Sequence, residues 1–429
     1  MFLFSSVAGA MIFGAVFSAN LNAKATEDGS NSKLQSLSKL TKTISTIEKY
    51  YVDDLRFKEI VDKAIEGLLN NLDAHSGFLN EKAFKDMQVQ TNGEFGGLGI
   101  TVGMKDGALT VISPIENTPA DKAGIKSGDI ILRIDGNATL GTTIDEAVNK
   151  MRGKPKTPIT ITIVRKGEQK PFDVKLVRDI ISVESVYAKM IEKDNILYLR
   201  VTNFDKHVTE KAEEFIKKYP KAEGIVLDLR NNPGGLLNQA VGLTNLFIDS
   251  GVIVSQKGRN ESENSEFKAA RANKITNLPL AVLVNGGSAS ASEIVSGSLQ
   301  DHKRAVVIGE KTFGKGSVQI ILPVDDKEAI RLTIARYYLP SGRTIQATGV
   351  EPDIIVFPGK VPQQDENAFS IKESELKKHL TNELSKIDGN GDKNATKTAD
   401  NKKIITEANV NDDIQLKSAI DAIKILQLK

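Results

Sequence analysis

The chain has 429 residues, of which 40% are hydrophobic and 26% charged, the balance of a soluble globular protein with room for about three domains of ~150 residues. Lysine plus arginine number 57 against 55 acidic residues, giving +2 with no dominant basic run. A nucleic-acid partner held by phosphate neutralisation is therefore disfavoured. Cysteine is absent, which excludes disulfide scaffolds, thiol catalysis and cysteine-based zinc sites. The four histidines, His75, His207, His302 and His379, fall in four separate neighbourhoods, so a clustered-imidazole metal site is not expected.

The first 23 residues carry no charge, and residues 2–17 form an apolar stretch the length of a signal-peptide core. Ala23-Lys24-Ala25 matches an A-x-A cleavage pattern, although a basic n-region is missing. Export is expected, with residues 1–25 as a signal peptide, or as an uncleaved anchor built from residues 2–21 that gives membrane association. The mature protein would then be periplasmic, or held at the inner membrane facing the periplasm. Apolar positions at helical spacing follow, including Leu34, Leu37, Leu40, Ile44, Ile60, Ala64 and Leu68, and predict a helical region over 26–90. Near residue 91 the pattern changes to short β-type runs separated by Gly and Asp turns, which predict one small β-rich domain over 91–178. From 179 to 360 strands and helices alternate (ILYLRV, a helix near 208–218, GIVLDL, a helix near 235–247, LAVLVN and another helix), the pattern of an α/β core. Residues 387–403 read as a flexible linker within a polar tail, 361–429, that ends in an amphipathic segment. That last segment is expected to dock on the body or on a second subunit. With the helical lead-in it is a candidate subunit contact, so a homo-oligomer, a dimer or larger, is expected.

In the β-rich stretch, Gly96-Gly97-Leu98-Gly99-Ile100 precedes a strand, an arrangement that lets backbone N–H groups converge on one small anion such as a peptide carboxylate. An ordinary glycine turn reads the same way locally. The frame from Pro114 to Ile131, with Thr118-Pro119-Ala120, Ala123-Gly124-Ile125 and Gly128-Asp129 in it, resembles a PDZ domain of the kind found in exported proteases. The resemblance implies that a peptide adds as a strand beside residues 98–104. Gly97, Leu98, Gly99 and Ile100 would form the carboxylate loop and pocket, and a helix near Thr143 to Met151 the other wall.

In the α/β core, a buried strand (residues 280–284) runs through a glycine turn into Ser288-Ala289-Ser290-Ala291-Ser292-Glu293. Ser290-x-x-Glu293 is a capping box, in which the serine satisfies orphan amides. A hydroxyl at a helix start also lies beside donors able to stabilise an oxyanion. The motif is not G-x-S-x-G, and a helix over 290–302 would put His302 about 18 Å from Ser290, so a Ser-His-Asp triad is disfavoured. A lysine held neutral by desolvation can act as base instead. Lys315, in Phe313-Gly314-Lys315-Gly316, is the candidate. Residues 309–315 also read G-x-x-x-x-G-K, but Gly316 stands where a P-loop needs Ser or Thr, and a strand-like run follows. No nucleotide, metal or other cofactor is expected.

Together these segments resemble the C-terminal processing peptidases, or tail-specific proteases, through Asp73-Ala74-His75-Ser76, residues 228–235 (DLRNNPGG), Ser288 to Glu293, residues 313–316 (FGKG) and residues 337–343 (YYLPSGR). The resemblance implies an α+β multidomain protein: a helical N-terminal region, a PDZ domain, an α/β core of the Clp-protease and crotonase type, and a helical tail. It further implies Ser290 as nucleophile, Lys315 as base, Gln319 as a residue orienting the lysine, and acyl transfer on protein or peptide substrates with free apolar C-termini. The oxyanion donors are expected from Ala291 and from the Gly234-Gly235 loop, which also reads as a plain turn. Asp73 and His75 read as structural. Two other readings stay open at this point: a PDZ-containing peptide-binding protein or chaperone on an inactive hydrolase scaffold, and a lipase or esterase using another serine.

Overall fold

The computed structural model of the protein describes residues 27–105, 107–115, 117–362 and 404–428. The expected export segment, the linker 387–403 and His379 lie outside the described residues. The chain divides into two compact units, 1–78 and 79–429. In the first, helices α1 (Glu27–Tyr50) and α2 (Phe57–Asn70) follow the expected apolar spacing, with Ile44, Ile60 and Leu69 buried and Leu34, Leu37 and Leu40 exposed. The turn after α2 is built by Asp73, whose carboxylate accepts the backbone N–H groups of His75 (2.7 Å) and Ser76 (2.8 Å) and the Ser76 hydroxyl (2.7 Å). This is the structural role expected for the segment. A short strand, β1 (Gly77–Leu79), crosses the boundary in the chain.

The second unit starts with α3 (Glu81–Asn92), capped by Asn80, whose side chain accepts from Ala83 N. The β-rich stretch follows as β2 (Glu94–Gly97), β3 (Ile100–Lys105), β4 (Ala108–Pro114), a short α4 (Pro119–Lys122), β5 (Ile130–Ile134), β6 (Asn137–Ala138), α5 (Ile144–Met151), β7 (Pro158–Val164), β8 (Phe172–Val177) and β9 (Asp179–Ser182). β3-β4-β5-β7-β8 form one antiparallel sheet, with β6 beside β5, and β3 is its edge. Alternate residues of β7, Ile159, Ile161 and Ile163, point into a core shared with Leu109, Ile131 and Ala147, as period-2 patterning requires. Asp129 of the Gly-Asp turn is buried, forked by Arg165 at 2.7 Å through each oxygen, and caps Lys126 N. β2 and β9 pair antiparallel, Gly97 opposite Asp179, so the domain joins the rest through a two-stranded neck.

The core follows as β10 (Val186–Ile191), β11 (Ile196–Val201), α6 (Val208–Lys218), β12 (Gly224–Asp228), α7 (Leu237–Asn245), β13 (Val252–Gly258), β14 (Ser265–Lys268), β15 (Leu280–Val284), α8 (Ala291–Asp301), β16 (Val306–Gly309), β17 (Ser317–Pro323), β18 (Ala329–Tyr338) and β19 (Ile354–Ile355). The tail supplies β20 (Ile404–Ile405), α9 (Glu407–Asn411) and α10 (Ile414–Gln427). The main sheet has the order β19-β16-β15-β12-β11-β10-β20, parallel except for β10 against β11. Its central strands β12 and β15 are buried along their whole length because both faces are covered there. Ile225, Leu227, Val282 and Val284 meet α6, α7 and α8. Val226, Ala281, Leu283 and Ile308 meet Leu416, Ala419, Ile420 and Ile423 of α10. The amphipathic tail therefore docks on the body, as one of the two expected alternatives had it. A second, antiparallel sheet contains β17, β18, β13 and β14.

The tail packs so closely that a Cβ on Gly224 would lie 2.4 Å from Ile423 Cγ2. Ile423 is fully buried and β-branched, so it cannot swing aside. Gly224→Ala is expected to cost about 1–3 kcal/mol of stability through overpacking. A lowered thermal midpoint and faster proteolytic release of α10 would show it; an unchanged midpoint would mean that the helix shifts freely.

Candidate active site

Three neighbouring parallel strands, β12, β15 and β16, end side by side, and the loop leaving each one carries one group of expected residues. This is the carboxyl end of the sheet, where α/β folds build their sites. The loop after β12 (229–236) holds Gly234 and Gly235; that after β15 (285–290) leads to Ser290 and α8; that after β16 (310–316) holds Lys315. Hydrogen bonds lace the three together. Ser288 Oγ donates to Leu229 O (2.8 Å), Ala289 N to Asn232 O (3.0 Å), Ser292 Oγ to Asn232 O (2.9 Å) and Phe313 N to Ser288 O (3.0 Å).

At the centre is Glu293, fully buried on the first turn of α8. Its Oε2 accepts from Ser290 N (2.7 Å) and Lys315 N (2.9 Å). Its Oε1 accepts from Thr312 Oγ1 (2.6 Å) and Gly314 N (2.7 Å). One carboxylate thus pins the backbones of Ser290 and Lys315 to a common point. The capping-box pattern pointed to Glu293, but only as the partner of Ser290. Its grip on residues 312–315 comes from the adjacency of β15 and β16, which local spacing does not reveal.

Ser290 is more than a cap. N-cap residues sit in the extended region, whereas Ser290 has φ 53°, ψ −110°, and its hydroxyl faces the first turn without closing a cap hydrogen bond. A non-glycine residue held at positive φ stores strain, which persists only where the surroundings impose it. The geometry is a sharp strand-to-helix turn that exposes a hydroxyl, the device that the missing G-x-S-x-G pattern had seemed to exclude.

Lys315 is half-buried, and burial pushes its amine below the usual lysine pKa. The positive charge of Arg331 on β18 lowers it further, and the Glu293 carboxylate opposes both. Among the described residues no hydrogen bond joins the Lys315 amine directly to the Ser290 hydroxyl. Gln319, expected to orient the lysine, donates instead to Ser317 Oγ (2.8 Å) and Thr333 Oγ1 (3.4 Å); it sits at a bulge where β17 changes register on β18. His302 lies beyond the far end of α8 with Nε2 2.8 Å from Val252 O, away from Ser290 as expected.

Of the expected oxyanion donors, the Ala291 amide is the first of α8 and stands against Gly234, where a Cβ would meet it at 3.0 Å and Ser290 Cβ at 2.9 Å. Gly234 itself, at φ 103°, already donates its N–H to Asn232 Oδ1 (2.9 Å). Its part is therefore close approach rather than donation. The Gly235 amide has no acceptor among the described residues.

In the β-rich domain, Leu98, Ile100, Val102, Ile144, Val148 and Met151 line a cleft of about 270 Å³ between edge strand β3 and α5. Gly97 and Gly99 belong to its rim. α5 starts where expected, at a capping box of Thr143 and Glu146. A larger cavity, about 640 Å³, is bounded by Met87 and Gln90 of α3, by Arg152 after α5, and by Thr202 and Arg331 of the core.

A hydroxyl on a strained strand-to-helix turn, a desolvated lysine whose backbone N–H shares a carboxylate with that of the serine, and a peptide-sized cleft at a sheet edge define a serine-type peptidase with a PDZ domain. Residues 195–356 match the model of Peptidase family S41, and residues 96–176 that of the PDZ domain. The chain is 43% identical over 392 residues to a carboxy-terminal-processing protease of Bartonella bacilliformis, covering 89% of each chain. It is 36% identical over 319 residues to the carboxy-terminal processing protease CtpA of Bacillus subtilis, covering 74% of this chain and 68% of that one. A solved structure of a photosystem II D1 C-terminal processing protease aligns with a TM-score of 0.43 and 28% identity, over 76% of this chain and 88% of the other. The chain belongs to the carboxy-terminal-processing proteases.

Proposed function

We propose that the chain is an exported endopeptidase that recognises protein C-termini through its PDZ domain and cleaves by a Ser290-Lys315 dyad. The observation that carries this reading is the sharing of the Glu293 carboxylate by the backbones of Ser290 and Lys315. Lys315, neutral, takes the Ser290 proton as Oγ attacks a peptide carbonyl. The protonated amine then delivers that proton to the departing nitrogen as the C–N bond breaks. The neutral amine next deprotonates a water that hydrolyses the acyl ester, returning the proton to Ser290. The Ala291 and Gly235 amides are the donors best placed for the oxyanion. A direct Ser-Lys hydrogen bond is not required of the unliganded enzyme, because such contacts often tighten only with substrate. Gln319 would join the lysine at that stage.

A substrate C-terminus adds beside β3 with its last side chain between Leu98 and Val148, and the chain passes along the cavity between Arg152 and Arg331 towards Ser290. The charge-free N-terminus supports export, to the periplasm or its face of the inner membrane, and the exposed Leu34, Leu37 and Leu40 of α1 support self-association.

The test is hydrolysis of an unfolded protein with an apolar C-terminus. Wild type is expected to cleave it and Ser290→Ala to be inactive; an active Ser290→Ala enzyme removes the dyad. Amidating the C-terminus of a peptide substrate is expected to lower kcat/KM about tenfold or more by removing the charge that the loop binds. Equal turnover of acid and amide would eliminate C-terminal recognition.

A further inference from the structure

The start of α10 reaches the loop that faces Ser290. Arg230, two residues past the end of β12, has a side chain only 14% exposed. Its Nη2 lies 2.6 Å from Asp228 Oδ2 and 2.8 Å from Asp413 Oδ2. Its Nη1 donates to Asp413 Oδ1 and Gln415 Oε1, both at 3.0 Å. Asp228 is fully buried and is also met by Arg200 Nη1 (3.2 Å) and the Tyr198 hydroxyl (2.7 Å). Gln415, 2% exposed, completes the link by donating to Val356 O at 2.7 Å. Asp413 does two things: it forks Arg230, and it caps α10 by accepting from Leu416 N at 3.0 Å.

The cluster of Asp228, Asp413, Arg200 and Arg230 balances two negative against two positive charges only when the tail is docked. The loop it anchors needs anchoring: Asn231, directly after Arg230, has φ 56° and is fixed to the serine loop by Asn285, through Asn231 N to Asn285 Oδ1 (2.8 Å) and Asn285 Nδ2 to Asn231 Oδ1 (2.9 Å). Three residues further, Gly234 meets Ser290.

We propose that Asp413 and Gln415 are positioning residues of the peptidase site, holding through Arg230 the loop 229–236 against Ser290. This rests on the reading of Ser290 as nucleophile. The Gly235 amide and the approach of Gly234 to Ser290 matter most once the tetrahedral intermediate forms, whereas the PDZ cleft is built from other residues. Loss of the anchor therefore acts on kcat and leaves KM.

The experiment uses the full chain, a peptide with a free apolar C-terminus, and assay temperatures below every variant's melting transition. Asp413→Asn keeps the helix cap, since asparagine accepts the Leu416 amide equally well, but removes the charge. Combined with Gln415→Leu it is expected to lower kcat about tenfold or more with KM within about twofold. Ile423→Ala loosens the packing of the same helix without touching Arg230, and is expected to lower the thermal midpoint while keeping kcat. Wild-type kcat in the Asp413→Asn, Gln415→Leu enzyme, a rise in KM alone, or an equal loss of kcat in Ile423→Ala would overturn the proposal; Asp413→Asn alone is judged by the same criteria should the double variant not fold. Ser290→Ala is measured in parallel. If it is active, the underlying reading fails; if it is dead while the Asp413 and Gln415 variants turn over normally, only this inference fails.

Discussion

Lys315→Arg is expected to reduce kcat by about 10²–10⁴-fold or more, although it keeps the positive charge and most of the side-chain length. A guanidinium does not deprotonate in a protein, so it cannot accept the Ser290 proton. A merely electrostatic lysine would tolerate the exchange far better, and an active Lys315→Arg enzyme would refute the base role. The same chemistry sets the pH profile of the wild type. In the proposed dyad only the neutral amine is competent, so the rate is expected to rise with pH through the Lys315 pKa. Burial and the charge of Arg331 hold that pKa below the usual lysine value. The acidic limb is therefore expected at lower pH than an exposed lysine would give. Arg331→Gln removes a repulsive cation, makes the protonated amine easier to keep, raises the pKa and moves the limb to higher pH. A limb that stays in place, or moves the other way, would separate Arg331 from the titrating group.

Glu293→Ala is expected to be the most damaging single change to the site's architecture. It leaves buried donors from Ser290, Thr312, Gly314 and Lys315 without their acceptor. Unpaired buried polar groups are costly, and a total loss of about 3–5 kcal/mol follows for a group this deeply embedded. Glu293→Gln keeps the shape but turns an amide NH₂ towards donors that need an acceptor, so it is expected to fall between the alanine variant and the wild type. Chemical denaturation monitored beside peptidase activity checks both. An alanine variant within about 1 kcal/mol of wild type would mean that water replaces the carboxylate, and the common anchor of the two loops would not be needed.

The parts of this molecule that could be read from the chain are those written in local patterns. The runs GIVLDL and LAVLV read as strands of an α/β core, the second as a buried one, and the PDZ-like frame implied the helix that begins after Thr143. Ser290-x-x-Glu293 was legible as a helix start, yet the pattern could not convey that the serine is strained or that the glutamate reaches a loop about twenty positions later. Such contacts arise from strand order, which no window of sequence contains. The amphipathic tail was equally visible, but the surface it covers was not, because any apolar face of matching size would satisfy its periodicity. For Gln319 the limit was of another kind: the family resemblance implied an orienting partner for Lys315, whereas at the bulge on β17 its amide donates to Ser317 and Thr333.

Covering the second face of the sheet with α10 has a temporal consequence. A polypeptide is made from its first residue to its last. Residues 195–356 would therefore emerge while Ile196, Val226, Ala281, Leu283 and Ile308 still lack the helix that shields them. That face of the sheet, next to the strands that lead to Ser290 and Lys315, is completed only once α10 has been made and has docked.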